Sequence, residues 1–261
     1  MGVGFWVLGL CVVLSACAPH LLRLPVDPGS PLPDFAEIYR GATAACAGVR
    51  SMTAELALSG RAGGNGIRGR AIVGFETPGS MRLEGVAPFG PPAFVLAARA
   101  GTATLVLPRD NRFVGGARPE EILGALTGVT LSPADLQAIL TGCVTATPGA
   151  TGGRIHQNGW ASIDLAGGAT LFVERQGNVW QRRAARLPAW QIEYGDWRGS
   201  FPGVVRLQSL RPDVDVHLTA GIAQLETNVA LDASAFAVSI PATATELTLS
   251  ELRDAGPLSA P

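Results

Sequence analysis

The chain has 261 residues, with 20 basic residues against 21 acidic ones, so its formal net charge is −1. This balance argues against nucleic acid as a partner, because nucleic-acid-binding domains carry a marked basic surplus. Every cationic side chain is arginine, and the absence of lysine excludes a Walker A phosphate loop, protein-kinase chemistry and Schiff-base catalysis.

The chain opens on an apolar run, MGVGFWVLGLCVVLSA. It is shorter than the about 20 apolar residues that a transmembrane helix needs, and it fits the apolar core of a secretory signal peptide. We therefore predict that residues 1–16 are a leader. The segment from Met1 to Gly4 contains no Lys or Arg, which is atypical of such leaders. Either the true start codon lies elsewhere or the export signal is a weak one.

The residues Leu14-Ser15-Ala16-Cys17 resemble the bacterial lipobox, the site at which the cysteine is acylated and becomes the new N-terminus. On this interpretation Cys17 is lipidated, and two or more acyl chains anchor the protein firmly, since each buried CH2 contributes about 0.8 kcal/mol. The next residue is Ala18, whereas aspartate there would resemble an inner-membrane retention signal. We predict a lipid-anchored protein on the periplasmic face of the outer membrane. The alternative is that Cys17 is only a small apolar residue of a signal or anchor.

The sequence after the leader divides into a tether, one domain and a tail. Residues 17–33, APHLLRLPVDPGSPLP after the cysteine, are rich in proline and predict a flexible tether. About 245 residues follow the leader, which suits one larger all-β domain. We assign this domain to residues 34–252 and a tail to residues 253–261.

Hydrophobic periodicity predicts a mainly β domain with three helices. Residues 34–48 have helical spacing, whereas apolar residues alternate with polar ones from Ser51 onward, as in antiparallel strands with one wet face. Two short helices follow, RPEEILGALTG and SPADLQAILTG, the second capped by Ser132 and ended by Gly142. Strands resume after a Gly/Thr-rich loop at 146–153. The pattern predicts a single curved antiparallel sheet forming an open half-barrel, covered by the N-terminal helix and the inserted lid helices.

Two cysteines remain in the predicted domain, Cys46 and Cys143. In an oxidising compartment they are a candidate disulfide pair, and a bridge closing so long a loop would contribute about 4–5 kcal/mol in the chain-entropy picture. The alternative is two buried free thiols that behave as small hydrophobic residues.

Motifs for chemistry are missing from the sequence. His20, His156 and His217 stand apart from one another, so no group of residues has zinc-site spacing. No G-x-S-x-G elbow precedes a helix, and the glycines of RAGGNGIRG connect two strands, which indicates a hairpin turn and not a phosphate cradle. We expect neither enzymatic activity nor a metal or cofactor. A hydrolase with an unrecognised site is a third alternative.

Several strings, in their order and spacing, resemble the LolA/LolB lipoprotein-carrier superfamily, and in particular the outer-membrane lipoprotein receptor LolB. The strongest match covers MRLEGVAPFGPPAFVL and the two lid helices, and WQIEYGDW, VVRLQS and VDVHLTAGIAQL resemble later strands. The resemblance implies a half-barrel whose apolar hollow takes lipoprotein acyl chains from a soluble periplasmic LolA-like carrier and passes them to the outer membrane. The longer C-terminal tail and the longer connection after the lid helices depart from the family pattern.

The half-barrel interpretation names candidate cavity and lid residues on the apolar faces of the strands and helices. A smooth aliphatic lining suits flexible chains, whereas converging polar groups suit polar ligands. The alternative is that these side chains pack against the helices as a dry core, and alternation alone does not separate the two. The candidates are Leu56, Leu58, Val73, Phe75, Leu83, Phe94, Leu96, Ile122, Leu126, Leu136, Ile139 and Leu140.

The stretch APFGPPAF predicts a turn, because half of it is proline or glycine. The turn presents Pro88, Phe89 and Gly90, and in the resembling family an apolar residue at this place protrudes and engages the membrane. Burial of an aromatic ring in the interface would contribute roughly 1.5–3 kcal/mol. The alternative is that Phe89 folds back under the loop.

Together these observations predict a monomeric outer-membrane lipoprotein that accepts acyl chains and inserts lipoproteins into the membrane without nucleotide hydrolysis. The second hypothesis is a structural or sensory outer-membrane lipoprotein that uses the same fold to bind another lipid or a protein partner.

Overall fold

The computed structural model describes residues 22–145 and 149–255. Fifteen strands form one sheet in the order β1-β8-β9-β10-β11-β12-β13-β14-β2-β3-β4-β5-β6-β7-β15. The strands are β1 (Ser30–Pro31), β2 (Ser51–Ala62), β3 (Asn65–Glu76), β4 (Ser80–Val86), β5 (Phe94–Arg99), β6 (Thr102–Leu107), β7 (Arg112–Ala117), β8 (Ala150–Ile155), β9 (Trp160–Leu165), β10 (Thr170–Gln176), β11 (Val179–Arg186), β12 (Trp190–Arg198), β13 (Phe201–Ser209), β14 (Val216–Thr227) and β15 (Thr245–Glu246).

The sheet consists of two meanders, β2–β7 and β8–β14, joined by the antiparallel pairing of β14 with β2. It does not close into a barrel, because it ends at β1 on one side and at β15 on the other. The predicted fold class is confirmed: a single large sheet with few helices. One pair departs from the antiparallel prediction, since β15 runs parallel to β7. The C-terminal segment returns along the edge of the sheet, and the Asn111 amide donates to the Thr243 carbonyl at 2.8 Å there.

Alternation along the strands decides which residues are buried. Met52, Ala54 and Leu56 of β2 are buried, whereas the residues between them are more accessible. In β3 the buried residues are Ala71, Val73 and Phe75, which pair with β2 at matching positions. Side chains that share a face of a strand are two residues apart. One face of the sheet therefore carries the main core.

The three predicted helices form at α1 (Phe35–Ala42), α2 (Pro119–Thr127) and α3 (Pro133–Thr141). The Ser132 hydroxyl accepts a hydrogen bond from the Asp135 amide at 3.1 Å, and Gly142 ends α3 in a left-handed conformation with φ of 66°. These are standard N-terminal and C-terminal caps. The first helix is shorter than the predicted 34–48. Its backbone leaves the helix at Thr43, whose hydroxyl bonds the Tyr39 carbonyl at 2.7 Å, and a 3-10 turn follows.

A fourth helix, α4 (Leu249–Ala255), spans the boundary placed between domain and tail. Its start is a capping box: the Glu251 amide donates to the Thr248 hydroxyl at 3.2 Å, and the Thr248 amide donates to the Glu251 carboxylate at 2.8 Å. Leu252 is fully buried, and α4 packs against α2. Helix α4, which lies more than one hundred positions after the lid helices in the chain, thus helps to hold them in place.

Residues 22–33, which we call the strap, contact the domain although the sequence predicts a flexible tether there. The Leu22 amide donates to the Glu193 carboxylate at 2.8 Å, and Leu24 is buried against Trp160 and Phe172. The carboxylate of Asp27 lies 3.3 Å from His156 Nδ1. Local composition does not reveal this packing, because the apolar partners of the strap are supplied by strands far along the chain.

Candidate functional site

An apolar cavity of about 410 Å³ lies between the lid helices and the inner face of the sheet. Its walls come from β2–β5, β13 and β14, from the turns after β4 and β6, and from α2 and α3. Within the part of the chain that the structure describes, the lining contains no Asp, Glu, His or Cys, and its polar side chains are three arginines and Thr127. Such a lining suits hydrocarbon and not a polar ligand.

Most of the cavity residues predicted from the sequence are brought together here. Ten of the twelve border the cavity: Leu56, Leu58, Val73, Phe75, Leu83, Phe94, Leu126, Leu136, Ile139 and Leu140. Leu96 and Ile122 do not border it and are fully buried in the packed core. They share a face with the others but lie toward the end of the sheet where α2 also contacts β6, β7 and α4. The alternation of apolar and polar residues shows which side chains face the inner side of the sheet. It does not show whether a side chain there borders the cavity or the packed core.

Small residues keep the cavity open, and the sequence interpretation did not single them out. Ala71, Ala93 and Ala220 border the cavity, as does Gly69, where an added Cβ would meet no heavy atom within 4 Å. At Gly85, by contrast, an added Cβ would lie 2.5 Å from the Phe94 ring. Glycine and alanine at inward positions of strands, where larger residues would fill a core, are the sequence signal that could have indicated empty space.

The lid helices are fastened to the sheet by a buried arginine beside a disulfide. Cys46 and Cys143 form a bridge across 97 positions of the chain, joining the turn after α1 to the end of α3. Arg182 from β11 donates to the Gly142 carbonyl at 2.9 Å and to the Ser200 carbonyl at 2.6 Å. These bonds satisfy the end of α3, which would otherwise leave a carbonyl unpaired in a buried place.

Arg182 is nearly inaccessible, and burial lowers its pKa. Its guanidinium carbon lies 4.9 Å from the centroid of the Trp197 ring, a cation–π contact. Tyr194 is also buried, and burial raises its pKa despite the nearby positive charge of Arg182. A buried cation held by carbonyl oxygens and an aromatic face is structural and offers no acid or base to the cavity.

The turn after β4 protrudes from the cavity rim. Pro88 borders the cavity, Gly90 has a φ of 76°, and Phe89 is 87% exposed. Arg109 crosses from the β6–β7 turn, and its Nη2 donates to the Phe89 carbonyl at 2.6 Å. The phenyl ring therefore does not fold under the loop, and its proposed role at the membrane stays a prediction.

Among the described residues that line the cavity, Thr127 is the one that carries a hydroxyl group. The Thr127 hydroxyl donates to the Leu123 carbonyl at 2.8 Å and accepts from the Val129 amide at 3.1 Å, so it is engaged by the lid backbone. Over residues 22–145 and 149–255, His, Cys, Asp and Glu form no group of three that could hold a metal ion. No helix in these ranges combines the length and the apolarity needed to cross a bilayer. The predicted leader and Cys17 lie outside the described residues.

The fold and the cavity define a class of protein, an open β sheet with a lid-covered apolar hollow. Three solved structures align with most of this chain at low sequence identity. A LolA superfamily protein from Nitrosomonas europaea is 9% identical, with 78% of this chain and 97% of that chain aligned at a TM-score of 0.48. A DUF1329 family protein from Desulfovibrio piger is 10% identical, covering 80% and 98% at 0.47. The Mycobacterium tuberculosis lipoprotein LppX is 13% identical, covering 77% and 99% at 0.32.

The sequence matches no protein-family profile, and no curated protein matches it. All three TM-scores lie below 0.5, so these likenesses support no inference about function. The assignment to LolB in particular stays a hypothesis that depends on the cavity itself.

Proposed function

We propose that this protein is a lipid-anchored outer-membrane lipoprotein that binds acyl chains in its cavity and inserts lipoproteins into the membrane. The observation that supports the proposal is the lid-covered apolar cavity of about 410 Å³. An apolar cavity of about 150 Å³ accommodates the six carbons of benzene, so by proportion this one has room for roughly sixteen carbons. It is thus large enough for one acyl chain.

Burial of hydrocarbon supplies the binding free energy. Each CH2 group removed from water contributes about 0.8 kcal/mol, and part of that gain offsets the ordering of the chain. Transfer would then run from a soluble LolA-like carrier to this protein and on to the outer membrane, driven by differences in affinity between successive sites. Neither nucleotide nor metal takes part in this proposal.

Filling the cavity tests whether it holds lipid. The test protein is the chain from residue 17 onward with Cys17→Ser, which retains every residue that the structure describes. Ala71→Leu places a larger side chain in the cavity, whereas the matched control Ala57→Leu makes the same change at an exposed position of the neighbouring strand. We expect native mass spectrometry to find co-purified acyl lipid on the parent protein and the control, and much less on Ala71→Leu.

An empty parent protein that also takes up no added acyl lipid would contradict acyl-chain binding. It would favour the second hypothesis, a structural or sensory lipoprotein that binds another partner.

Delivery is tested separately at the protruding turn. Phe89→Glu replaces the exposed ring by a charge, which resists entry into the bilayer interface. We expect this variant to keep its fold and its bound lipid but to lose transfer of lipoprotein to liposomes. Val179→Glu, a change at another exposed apolar residue on β11, is the control and should transfer normally. Undiminished transfer by Phe89→Glu would remove this residue from the mechanism.

A further inference from the structure

The charged side chains that border the cavity, in the described part of the chain, are all arginines. Of the residues that border the cavity, the charged ones are Arg68, Arg70 and Arg109, and all three are exposed. Arg70 is paired with Glu55 at 2.6 Å. Arg68 and Arg109 make no ion pair within the described part of the chain. Two cations without a carboxylate partner therefore stand at the opening of an apolar hollow.

Arg109 has hydrogen-bonding capacity to spare. Its Nη2 donates to the Phe89 carbonyl at 2.6 Å and its Nε approaches the Pro91 carbonyl at 3.4 Å. A guanidinium has five N–H donors, so three remain for another acceptor, and neutral carbonyls leave its charge uncompensated. The two bonds also hold the side chain across the rim, which lowers the entropy lost when an anion binds.

Arg68 approaches the opening from the outer side. It lies on β3 between Ile67 and Gly69, and alternation directs its side chain to the face opposite that of Ile67. Gly69 itself has no side chain, and an added Cβ there would meet nothing within 4 Å. Arg68 nevertheless borders the cavity, so its charge contributes to the potential at the rim.

We infer that the cavity takes a lipid with one buried acyl chain and an anionic headgroup, a phosphate or a carboxylate, which lies on Arg109 with support from Arg68. This inference rests on the proposed acyl-chain binding and adds to it a second class of ligand, because the acyl groups of a lipidated cysteine carry no phosphate or carboxylate. Cavity size limits the buried part to about one chain, as in a fatty acid or a lysophospholipid. Carboxylate and phosphate oxygens are the groups that a guanidinium binds best.

Three ligands with the same palmitoyl chain test the headgroup. Palmitate carries a carboxylate, palmitoyl-lysophosphatidylglycerol a phosphate, and monopalmitoylglycerol no charge. Their affinities are measured by displacement of a neutral fluorescent lipid from the Cys17→Ser chain described above. We expect the anionic ligands to bind about five- to tenfold more tightly than the neutral one at low salt, as for one or two charge contacts at a partly exposed site. This difference should shrink in high salt. Preference for only one of the two anions would identify the headgroup.

Substitutions of the rim arginines test whether the preference for anionic ligands depends on their charge. Arg109→Gln should reduce the preference for anionic ligands several-fold. Arg109→Lys should retain part of it, since lysine keeps the charge but not the guanidinium geometry. Arg68→Gln should have a smaller effect. The control is Arg99→Gln, an exposed arginine at the β5–β6 turn that does not border the cavity.

Equal affinity for all three ligands would overturn the headgroup inference and leave acyl-chain binding intact. Failure of all three to bind would overturn both. A loss of preference in Arg99→Gln equal to that in Arg109→Gln would assign the effect to overall charge and contradict a site at the rim.

Discussion

The same sheet is hollow on one side and filled on the other. The cavity side comprises β13, β14 and β2–β4 under α2 and α3, and the filled side comprises β8–β12 under α1. Both sides alternate apolar and polar residues, so the pattern alone does not distinguish them. The filled side packs large inward residues such as Trp190, Ile192 and Tyr194. The cavity side places Gly69 and Ala71 at inward positions, and space remains beside them.

The two sides also differ in what covers their outer face. On the filled side the strap lies across the sheet, and Leu24, Trp160 and Phe172 form a second small core there. On the cavity side the outer face is exposed at Ile72, which is 48% accessible. At β4 it is covered by the C-terminal segment: Phe236 is buried, and Arg82 donates to the Ala235 and Ala237 carbonyls. The outer face is therefore covered by the N-terminal strap on one side and by the C-terminal segment on the other.

Removing the disulfide should have the largest effect on stability. The bridge joins the segment after α1, the helix over the filled side, to the end of α3, a lid helix over the cavity. Cys46 follows α1 and Cys143 follows α3. For a loop of this length we expect Cys46→Ser/Cys143→Ser to lower the free energy of unfolding by up to about 4–5 kcal/mol. Urea unfolding of the variant and of the reduced parent should agree.

Thiol titration of the denatured, unreduced protein provides the control for the bridge. Two reactive thiols beyond the leader would show that the bridge does not form.

Truncation of matched leucines compares the two sides directly. Leu171 on the filled side is fully buried, whereas Leu83 borders the cavity and is partly accessible. We expect Leu171→Ala to cost about 3 kcal/mol, because it leaves a void in a packed core. Leu83→Ala should cost about 1 kcal/mol, since it enlarges a space that already exists. Equal losses in denaturant unfolding would mean that the cavity is packed in solution.

The opposite substitution, from alanine to leucine, extends the comparison of the two sides. Ala161 on the filled side is fully buried, and Ala71 borders the cavity. We expect Ala161→Leu to cost about 1–3 kcal/mol through overpacking, whereas Ala71→Leu should change stability little and lower lipid binding. Thermal unfolding followed by circular dichroism measures both. A large loss in Ala71→Leu would indicate that no room exists beside this residue.

The smallest expected effect on stability comes from changing Glu193, which contacts the strap. This carboxyl group is inaccessible, and burial raises its pKa above the usual 4.5, although bonds from the Leu22 amide and the Gln191 side chain oppose the shift. Because the folded-state pKa is the higher one, its contribution to stability is full below pH 4.5 and is lost as pH rises through the raised pKa.

Glu193→Gln keeps an acceptor for the Leu22 amide and removes the buried charge. We therefore expect the variant to have a higher Tm than the parent at pH 7 and no such gain at pH 4. Thermal scans across this pH range provide the measurement, with the exposed change Glu246→Gln as control. A drop in Tm at pH 7 would show that the strap requires the charge.

Sequence patterns predicted the sheet, the helices and most of the cavity residues because these features have local causes. Alternation fixes which strand residues face inward, and Ser132, Pro133 and Gly142 mark the ends of α3 with local hydrogen bonds and backbone geometry. Ten cavity residues follow from that inner face. Leu96 and Ile122 lie on the predicted inner face, but they do not border the cavity. The packing of α2 on β6 and β7 nearby buries them.

The features that were missed depend on contacts between distant residues. The strap docks on strands more than one hundred positions away, and Arg182 reaches the end of α3 from β11. Proline content predicted a tether, because local composition says nothing about partners that arrive later in the chain. The helix α4 is the exception, since the pair Thr248 and Glu251 has capping-box spacing that was readable from the sequence.

The two shortest strands of the sheet have a protective consequence. An open sheet leaves two rows of unpaired backbone groups, and such edges recruit strands of other molecules into aggregates. Here the edges are β1 and β15, of two residues each, which pair with two positions of β8 and of β7. Pro31 in β1 has no amide proton to offer. Short edge strands of this kind limit association between molecules through the backbone of the sheet.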